Sequence, residues 1–211
     1  REVQDLNSCA AVIIPGSKST RSDLAWLQTS GWAEQLASYH RAGGHILGIC
    51  GGFQMLGEQV HDPQGYEGDA GSSTGLAMLP VSTVLQSPKT TTRTNFFWDA
   101  TADCAMLRVA ARNGMPCADA DGCRSSDGRV LGTYVHGLFD SPAITRKWLD
   151  SIGLHSVVVG EDQGTLARDR AYEELDTQPL HWSVPDPARA GCPGAFERAY
   201  DELTRRVDLL P

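Results

Sequence analysis

None of the six cysteines in this 211-residue chain stands in a Cys-x-x-Cys pair, so neither a zinc ribbon nor a thioredoxin-type redox motif is present. The cysteines are Cys9, Cys50, Cys104, Cys117, Cys123 and Cys192. Cys117 and Cys123 come nearest to a ligand pair, but their spacing suits metal coordination poorly, and no metal site is expected. A chain of this length can bury a sizeable core without stapling, so a reducing cytoplasm is the simplest setting. No apolar run approaches the roughly 20 residues that cross a bilayer. Positive charge is in deficit, with 18 Lys and Arg against 26 Asp and Glu and a formal net charge of −8. That balance argues against nucleic acid or an anionic membrane as the main partner. Nor does Gly-x-x-x-x-Gly-Lys-Ser/Thr occur, so no phosphate loop is expected within the chain. The start, Arg1-Glu2-Val3-Gln4-Asp5, has no initiator methionine and no signal-peptide apolar segment, and reads as that of a fragment or a processed form.

What the chain does have is concentrated in residues 46–56, Ile-Leu-Gly-Ile-Cys-Gly-Gly-Phe-Gln-Met-Leu. A short apolar run leads into Cys50, two glycines follow, and Phe53, Leu56 and Val60 then recur at helical spacing. Strand, cysteine and helix, with glycine on both sides of the cysteine, is the pattern of a nucleophile elbow. The nucleophile of such an elbow sits on a sharp, strained turn, where a side chain at Gly48 or Gly52 would crowd the turn or the strand–helix packing. The turn sets the sulfur over a helix N-terminus, whose unpaired amides favour negative charge, and leaves the Gly51 amide free for a developing oxyanion. The competing reading is a cysteine that only packs at the end of a core strand.

The rest of the chain supplies a frame for that elbow. Residues 9–14 (Cys-Ala-Ala-Val-Ile-Ile) form an apolar run ended by Pro15-Gly16, as in a buried parallel strand. Thr20 and Asp23 approximate a capping box for a helix with Leu24 and Leu27 inward. Gly31 breaks it, and residues 33–42 make a second helix, with Gly43-Gly44 as its stop. Residues 45–49 are the next strand. Strands alternating with helices predict an α/β fold with a doubly wound, mostly parallel sheet. In such sheets ligands bind at the carboxyl ends of the strands, where Pro15-Gly16-Ser17 and Cys50-Gly51-Gly52 both fall.

Residues 75–85 read as extended, whereas 86–128 are the least legible part, an excursion over the site or a partly disordered segment. Residues 129–135 alternate as a strand ending at His136-Gly137. Ser141-Pro142 opens a helix with Ile144, Trp148, Leu149 and Ile152 inward, closed by Gly153. Beyond about residue 160, Arg170-Ala171-Tyr172-Glu173-Glu174-Leu175 is echoed by Arg198-Ala199-Tyr200-Asp201-Glu202-Leu203. The expected organisation is a main domain over 1–160 and a helical segment over 161–211 that packs on it.

A cysteine nucleophile needs a base. His40 lies in a helix, His45 starts its strand at the wrong end, and His61, His155 and His181 fall in connections. His136 stands at a strand end, on the rim where Cys50 emerges. It either partners the cysteine or merely caps local backbone groups.

Val12-Ile13-Ile14-Pro15-Gly16-Ser17-Lys18-Ser19-Thr20 with Asp23-Leu24, and Gly48-Ile49-Cys50-Gly51-Gly52-Phe53-Gln54-Met55-Leu56-Gly57, resemble the glutaminase domain of the cobyric acid synthase family. So do Asp62-Pro63 with Glu67-Gly68, Gly75-Leu76 with Leu79-Pro80, Lys89-Thr90, and Gly132-Thr133-Tyr134-Val135-His136-Gly137-Leu138-Phe139. These motifs run in the family's order over roughly residues 10–150. The resemblance implies a class I glutamine amidotransferase-like, flavodoxin-like fold and hydrolysis of glutamine through a thioester on Cys50. His136 would be the base, and amides of Gly51 and of the Gly16-Ser17 turn would hold the oxyanion. Gln54 would help to hold the substrate glutamine. The ammonia would amidate corrinoid carboxylates, with ATP and Mg on a separate synthetase domain and no cofactor in this one.

Two departures stand out. The family's Gly-Tyr-Glu-Ile-His segment is not found between Lys89 and His136, and Leu138 stands where many triad glutaminases carry Glu. The second points to a Cys–His dyad. Other readings are a glutaminase serving a different ATP-dependent ligase (one amidating cell-wall precursors, for example), a non-catalytic docking module, and a cysteine enzyme acting on another amide or ester.

Overall fold

The computed structural model describes residues 3, 5–87, 92–99 and 105–159. The boundary expected at 160 and the two helices expected beyond it lie outside these residues, as do Lys89-Thr90, Cys104 and Cys192. In chain order the elements begin with β1 (Ala11–Ile14), α1 (Thr20–Thr29), α2 (Trp32–Arg41), β2 (His45–Ile49) and α3 (Gly51–Leu56). Then come β3 (Gln59–Asp62), β4 (Gly71–Thr74), β5 (Ser82–Val84), β6 (Thr94–Trp98), β7 (Leu107–Arg112) and β8 (Met115–Asp121). The last are β9 (Cys123–Arg124), β10 (Val130–Thr133), a single 3₁₀ turn (Leu138–Asp140) and α4 (Pro142–Ser151).

The central sheet has the order β1-β2-β10-β9. β1, β2 and β10 are mutually parallel, and β9 closes the edge antiparallel to β10. Alternation along the strands sorts their side chains to two sides. Ile14, Ile46 and Val130 join Leu24 of α1, Leu36 and Tyr39 of α2, and Phe53 and Leu56 of α3 in one core. Leu47 and Leu131 face the other way, against Leu138 and the Ile144, Trp148 and Leu149 stripe of α4. Helices on both faces make the sheet doubly wound, which explains why its strands read as continuous apolar runs rather than alternating ones.

Most helix boundaries follow the chemistry expected of them. Gly31 adopts φ 85° ahead of α2, and Gly43 adopts φ 98° after it. Ser141 accepts the Ile144 N–H at 3.4 Å, with Pro142 in the first turn of α4. The start of α1 differs from expectation. Thr20 is the first helical residue rather than the cap, and the Glu67 carboxylate caps from outside, accepting the Thr20 N–H at 2.6 Å. Asp23 is occupied elsewhere, by the Ser17 hydroxyl at 2.5 Å.

α3 is shorter than its sequence pattern predicts. Val60 lies not on the helix but on β3, where it is buried in the same core. The chain leaves the helix at Gly57, and Glu58 bonds instead to neighbouring segments, its N–H donating to the Val81 carbonyl at 2.7 Å and its carbonyl accepting the Gly75 N–H at 2.9 Å. β3 pairs with β4 antiparallel and β5 parallel in a second, three-stranded sheet. Only Ser82–Val84 of the stretch expected to be extended over 75–85 is strand. The segment over 86–128 contains a third sheet, the antiparallel meander β6-β7-β8. Its tight turn is Asn113-Gly114, both at positive φ (49° and 77°), as a type I′ hairpin requires.

α3 lies unusually close to the central sheet because neighbouring strands present glycine to it. Gly48 and Gly132 are partners across β2 and β10. A Cβ on Gly132 would sit 2.0 Å from the Phe53 ring, and one on Gly48 would sit 2.7 Å from the Gly52 carbonyl oxygen. Gly132→Ala should therefore destabilise the fold by about 1–3 kcal/mol through overpacking. Phe53→Leu in the same chain should recover part of the loss. Urea unfolding of the single and double variants measures both.

The turn from β9 to β10 is held by Asp127. It accepts the Ser125 hydroxyl at 2.6 Å and the Arg129 N–H at 3.1 Å, and it pairs with His40 of α2 at 2.8 Å. Burial pushes the Asp127 carboxyl up, but these donors and the His40 charge outweigh it and hold the group down at about 2. A depressed carboxyl contributes stability that is present above the unfolded value, roughly 3.9, and lost as pH falls through the folded one. The side chain is partly exposed, so screening limits the contribution to no more than about 1 kcal/mol. Acid titration of stability should show this loss between about pH 4 and about pH 2, and Asp127→Asn should flatten it.

Candidate active site

Three neighbouring parallel strands, β1, β2 and β10, end at one rim. The segments that follow them carry Gly16-Ser17, Cys50 and His136. The position a Cβ would take on Gly16 lies 3.2 Å from His136 Cε1 and 3.5 Å from Cys50 Cβ. The loop after β1, the cysteine and the imidazole therefore line one point, and glycine at 16 keeps that point open. His136 is exposed and Cys50 half-buried, so the site opens to solvent at the edge of the fold.

Cys50 occupies φ 52°, ψ −110°, a conformation rare for a residue with a side chain. Two hydrogen bonds fix it there: its N–H donates to the Thr133 carbonyl at 2.8 Å, and its carbonyl accepts the Gln54 N–H at 3.1 Å. The close approach of the loop after β1 holds it from the other side. A Cβ on Gly52 would fall 2.0 Å from the Ile14 carbonyl oxygen, and one on Gly51 would fall 2.7 Å from the Ser17 nitrogen. The backbone of Ser17 is thus laid directly against that of Gly51. Gly51 is in the first turn of α3, so its N–H has no acceptor within the helix. The Ser17 N–H has no backbone acceptor among the described residues. The Ser17 side chain braces this loop, since its hydroxyl donates to Asp23 and accepts the Ser19 N–H at 2.9 Å.

Gln54 sits one turn into α3, half-buried. Its Oε1 accepts the Thr20 hydroxyl at 3.2 Å. Thr20 in turn is tied to Glu67, whose own N–H donates to Asp62 at 2.8 Å. Asp62 has no solvent exposure and also accepts the Tyr66 N–H at 2.8 Å. Burial pushes the Asp62 carboxyl up, yet the amides of Glu67, Tyr66 and Gly65, with the charge of Arg21, leave it below its ordinary value. A glycine-rich connection that looks like a plain surface loop in sequence is thereby anchored to α1, whose Thr20 hydroxyl holds the Gln54 side chain.

The other described histidines are placed elsewhere. His40 pairs with Asp127, His61 with the Ser72 hydroxyl at 2.7 Å, and His155 with Asp150 at 3.1 Å. His45 stands at the far end of β2. There burial, then the charge of Arg129, lowers its imidazole, against a smaller opposing effect of Asp127. His181 lies outside the described residues. Cys117 and Cys123, weighed as metal ligands in the sequence, fall on β8 and β9, with Cys123 buried in the core.

Sequence reasoning missed two residues behind the rim. The buried Thr133 hydroxyl hydrogen-bonds the Asp121 carboxylate, which also accepts the Tyr134 N–H at 3.1 Å. The Val135 N–H donates back to the Thr133 hydroxyl at 3.0 Å. Asp121 is in the aspartate-rich stretch that reads as loop, and nothing local marks it. Tyr134, also exposed, packs edge-on against Phe53 with ring centres 5.2 Å apart.

A CobB/CobQ-like glutamine amidotransferase domain matches residues 1–105. A cobyric acid synthase of Chlorobium phaeobacteroides is 40% identical over 190 residues, covering 82% of this chain and 37% of that protein. Those of Chlorobaculum tepidum (43%; 69% of this chain, 32% of that protein) and Paracoccus denitrificans (41%; 70% and 32%) are similar. The chain thus spans about a third of the length of the curated relatives it matches. A solved structure described as a glutamine amidotransferase aligns with a TM-score of 0.46 at 17% identity, over 68% of this chain and 79% of that one. No helix among the described residues is long and apolar enough to cross a membrane. With that sequence match laid over a cysteine elbow on a parallel sheet's rim, the chain belongs to the family of CobB/CobQ-like glutamine amidotransferase domains, and its likeness is to those of cobyric acid synthases.

Proposed function

We propose that this chain hydrolyses glutamine at Cys50 and delivers the ammonia to an ATP-dependent synthetase part of the same enzyme. That part would hold ATP and Mg and amidate carboxylates of a corrinoid in cobalamin biosynthesis. The observation that carries the reading is the open point at Gly16, lined by the His136 ring at 3.2 Å and by Cys50 Cβ at 3.5 Å. Because the ring and the cysteine both lie against the bare backbone of Gly16, a carboxamide bound over that glycine would meet nucleophile and base together.

The Cys50 sulfur attacks the side-chain amide carbon as its proton passes to His136. The carbonyl oxygen takes the electron pair and rests on the N–H groups of Gly51 and Ser17. Collapse of the tetrahedral adduct breaks the carbon–nitrogen bond, and His136 returns the proton to the leaving ammonia. Water, deprotonated by His136, then cleaves the thioester to glutamate and restores the thiol. Gln54, held through its Oε1 by Thr20, presents its amide N–H groups toward the substrate. ATP use and a free thiol nucleophile both fit a reducing cytoplasm, where we place the enzyme.

Two substitutions test this on the full-length protein with ATP and acceptor present. Cys50→Ala should lower glutamate release by about 10⁴-fold or more while leaving the melting temperature near that of the wild type. Unchanged glutamate release in that variant would refute the mechanism. Gly16→Ala places a methyl group 3.2 Å from His136 Cε1 on an exposed loop. It should leave stability within about 0.5 kcal/mol yet cut glutamate release by roughly 100-fold, because a small displacement of the base suffices.

A further inference from the structure

We propose that Asp121 is the residue that positions His136. The proposal rests on the reading of His136 as the base in glutamine hydrolysis. Among the described residues no side chain hydrogen-bonds the His136 ring, and Leu138 occupies the place where a triad glutamate would stand. Within these residues, the imidazole is therefore oriented through the backbone that carries it.

That backbone is held at three consecutive residues. β10 ends at Thr133, paired with Ile49, and the N–H groups of Tyr134 and Val135 lie beyond the ladder. The Tyr134 N–H goes to Asp121 Oδ1 at 3.1 Å, and the Val135 N–H goes to the Thr133 hydroxyl at 3.0 Å. The hydroxyl itself donates to the same Asp121 oxygen. One carboxylate oxygen thus takes two donors at once, a task suited to an ionised acceptor and worth roughly twice a neutral hydrogen bond.

Asp121 reaches this place because of the residue after it. Gly122 adopts φ 83°, and a Cβ there would fall 2.3 Å from the Gly132 carbonyl oxygen. Only glycine allows β8 to turn so tightly against β10 with the carboxylate facing the end of the strand. Thr133 also accepts the Cys50 N–H through its carbonyl at 2.8 Å. The same residue therefore fixes the nucleophile on one side and, through Asp121, the path to the base on the other. If the clamp is lost, the segment carrying His136 keeps only the packing of Val135 and Leu138 on either side of it, whereas the Gln54 side of the site is built on α1 and α3 and is untouched.

The test compares substitutions at both ends of the clamp in the full-length protein. Asp121→Asn keeps an oxygen for both donors, and its kcat for glutamine hydrolysis should stay within about fivefold of wild type. Asp121→Ala should lower kcat about 10- to 100-fold with KM for glutamine within about threefold, since the base is misplaced and the substrate contacts are not. Thr133→Val should behave like Asp121→Ala, and Thr133→Ser should restore the rate. Should Asp121→Ala fail to fold, the Thr133 pair decides.

Isotope-labelled His136 supplies a readout besides activity. Its ring carbon-bound proton signal should broaden or split in Asp121→Ala and Thr133→Val, and remain sharp in Asp121→Asn and Thr133→Ser. Leu149→Ala, which weakens the α4 core, should move neither kcat nor this signal. A rate within twofold of wild type in Asp121→Ala, or an equal loss in Leu149→Ala, overturns the proposal. If the wild-type protein releases no glutamate at all, the hydrolytic reading falls. The ring signal then decides alone: perturbed, the clamp stands, and unperturbed, it does not.

Discussion

The structure depends on how closely α3 is pressed onto the central sheet. Gly48, Gly132 and Gly52 sit where a single methyl group would meet the helix backbone, the Phe53 ring or the end of β1. This closeness leaves the chain no relaxed route from β2 into α3, and the cost falls on Cys50, the residue between them. A non-glycine residue in that region of backbone space costs about 1–3 kcal/mol. Phe53, Met55 and Leu56, the residues that follow, are almost fully buried, and each returns about 1.5–3 kcal/mol. Burial therefore outweighs strain, and the strain is kept at the one residue whose side chain must stand clear of the sheet. The strained turn at Cys50 is thus a by-product of packing that the glycines permit.

The legible parts of the fold were those whose signal is local. β2 matches its expected limits, 45–49, because an apolar run between Gly44 and Cys50 has no other reading in an α/β chain. α4 follows its Ser141-Pro142 start and its Ile144, Trp148, Leu149 stripe for the same reason. Val60 was misplaced because its spacing from Phe53 and Leu56 fits a helix, while the hydrogen bonds that draw Glu58 out of it, to Val81 and Gly75, are distant in sequence. The meander over 94–121 was illegible because β8, with Ala118, Asp119 and Ala120 exposed, lacks the apolar alternation of a half-buried strand. Asn113-Gly114 was the usable hint, a two-residue hairpin signal between strand-like runs.

The candidate site divides in the same way. Gly16, Cys50 and His136 are recognisable because each follows the end of a strand in a sheet where ligands gather at those ends. The residues that hold them are not. Glu67 caps α1 across 47 positions of sequence, and Asp62 is buried under a loop that looks solvated. A carboxylate in a glycine-rich stretch carries no mark of the amides it will meet, since those are set by packing between segments rather than by neighbours in the chain. Thr133 shows the limit most clearly. As one residue of a short strand it looks like ordinary β-propensity, yet its carbonyl accepts the Cys50 N–H and its hydroxyl accepts the Val135 N–H.

For the proposed pair of Cys50 and His136, the chemistry explains how such an arrangement would suffice with no carboxylate among the described residues on the imidazole. A serine hydroxyl holds its proton so firmly that its histidine must be stabilised as it becomes charged, and a buried aspartate supplies that. A thiol parts with its proton far more readily, so the histidine beside it carries less of the burden. What would remain in the proposed reaction is geometry: the ring would have to meet the sulfur before attack and the departing nitrogen after it, without drifting toward solvent in between. Backbone hydrogen bonds to the sheet end would meet that need: the Cys50 N–H goes to the Thr133 carbonyl, the Thr133 hydroxyl and the Tyr134 N–H go to Asp121, and the Val135 N–H returns to the Thr133 hydroxyl. Leu138 is free to serve packing instead. It is fully buried against the α4 side of the core, where a glutamate would bring an unpaired charge into apolar surroundings. Leucine at position 138 thus accounts both for the lack of a carboxylate at that position and for the intact core around it.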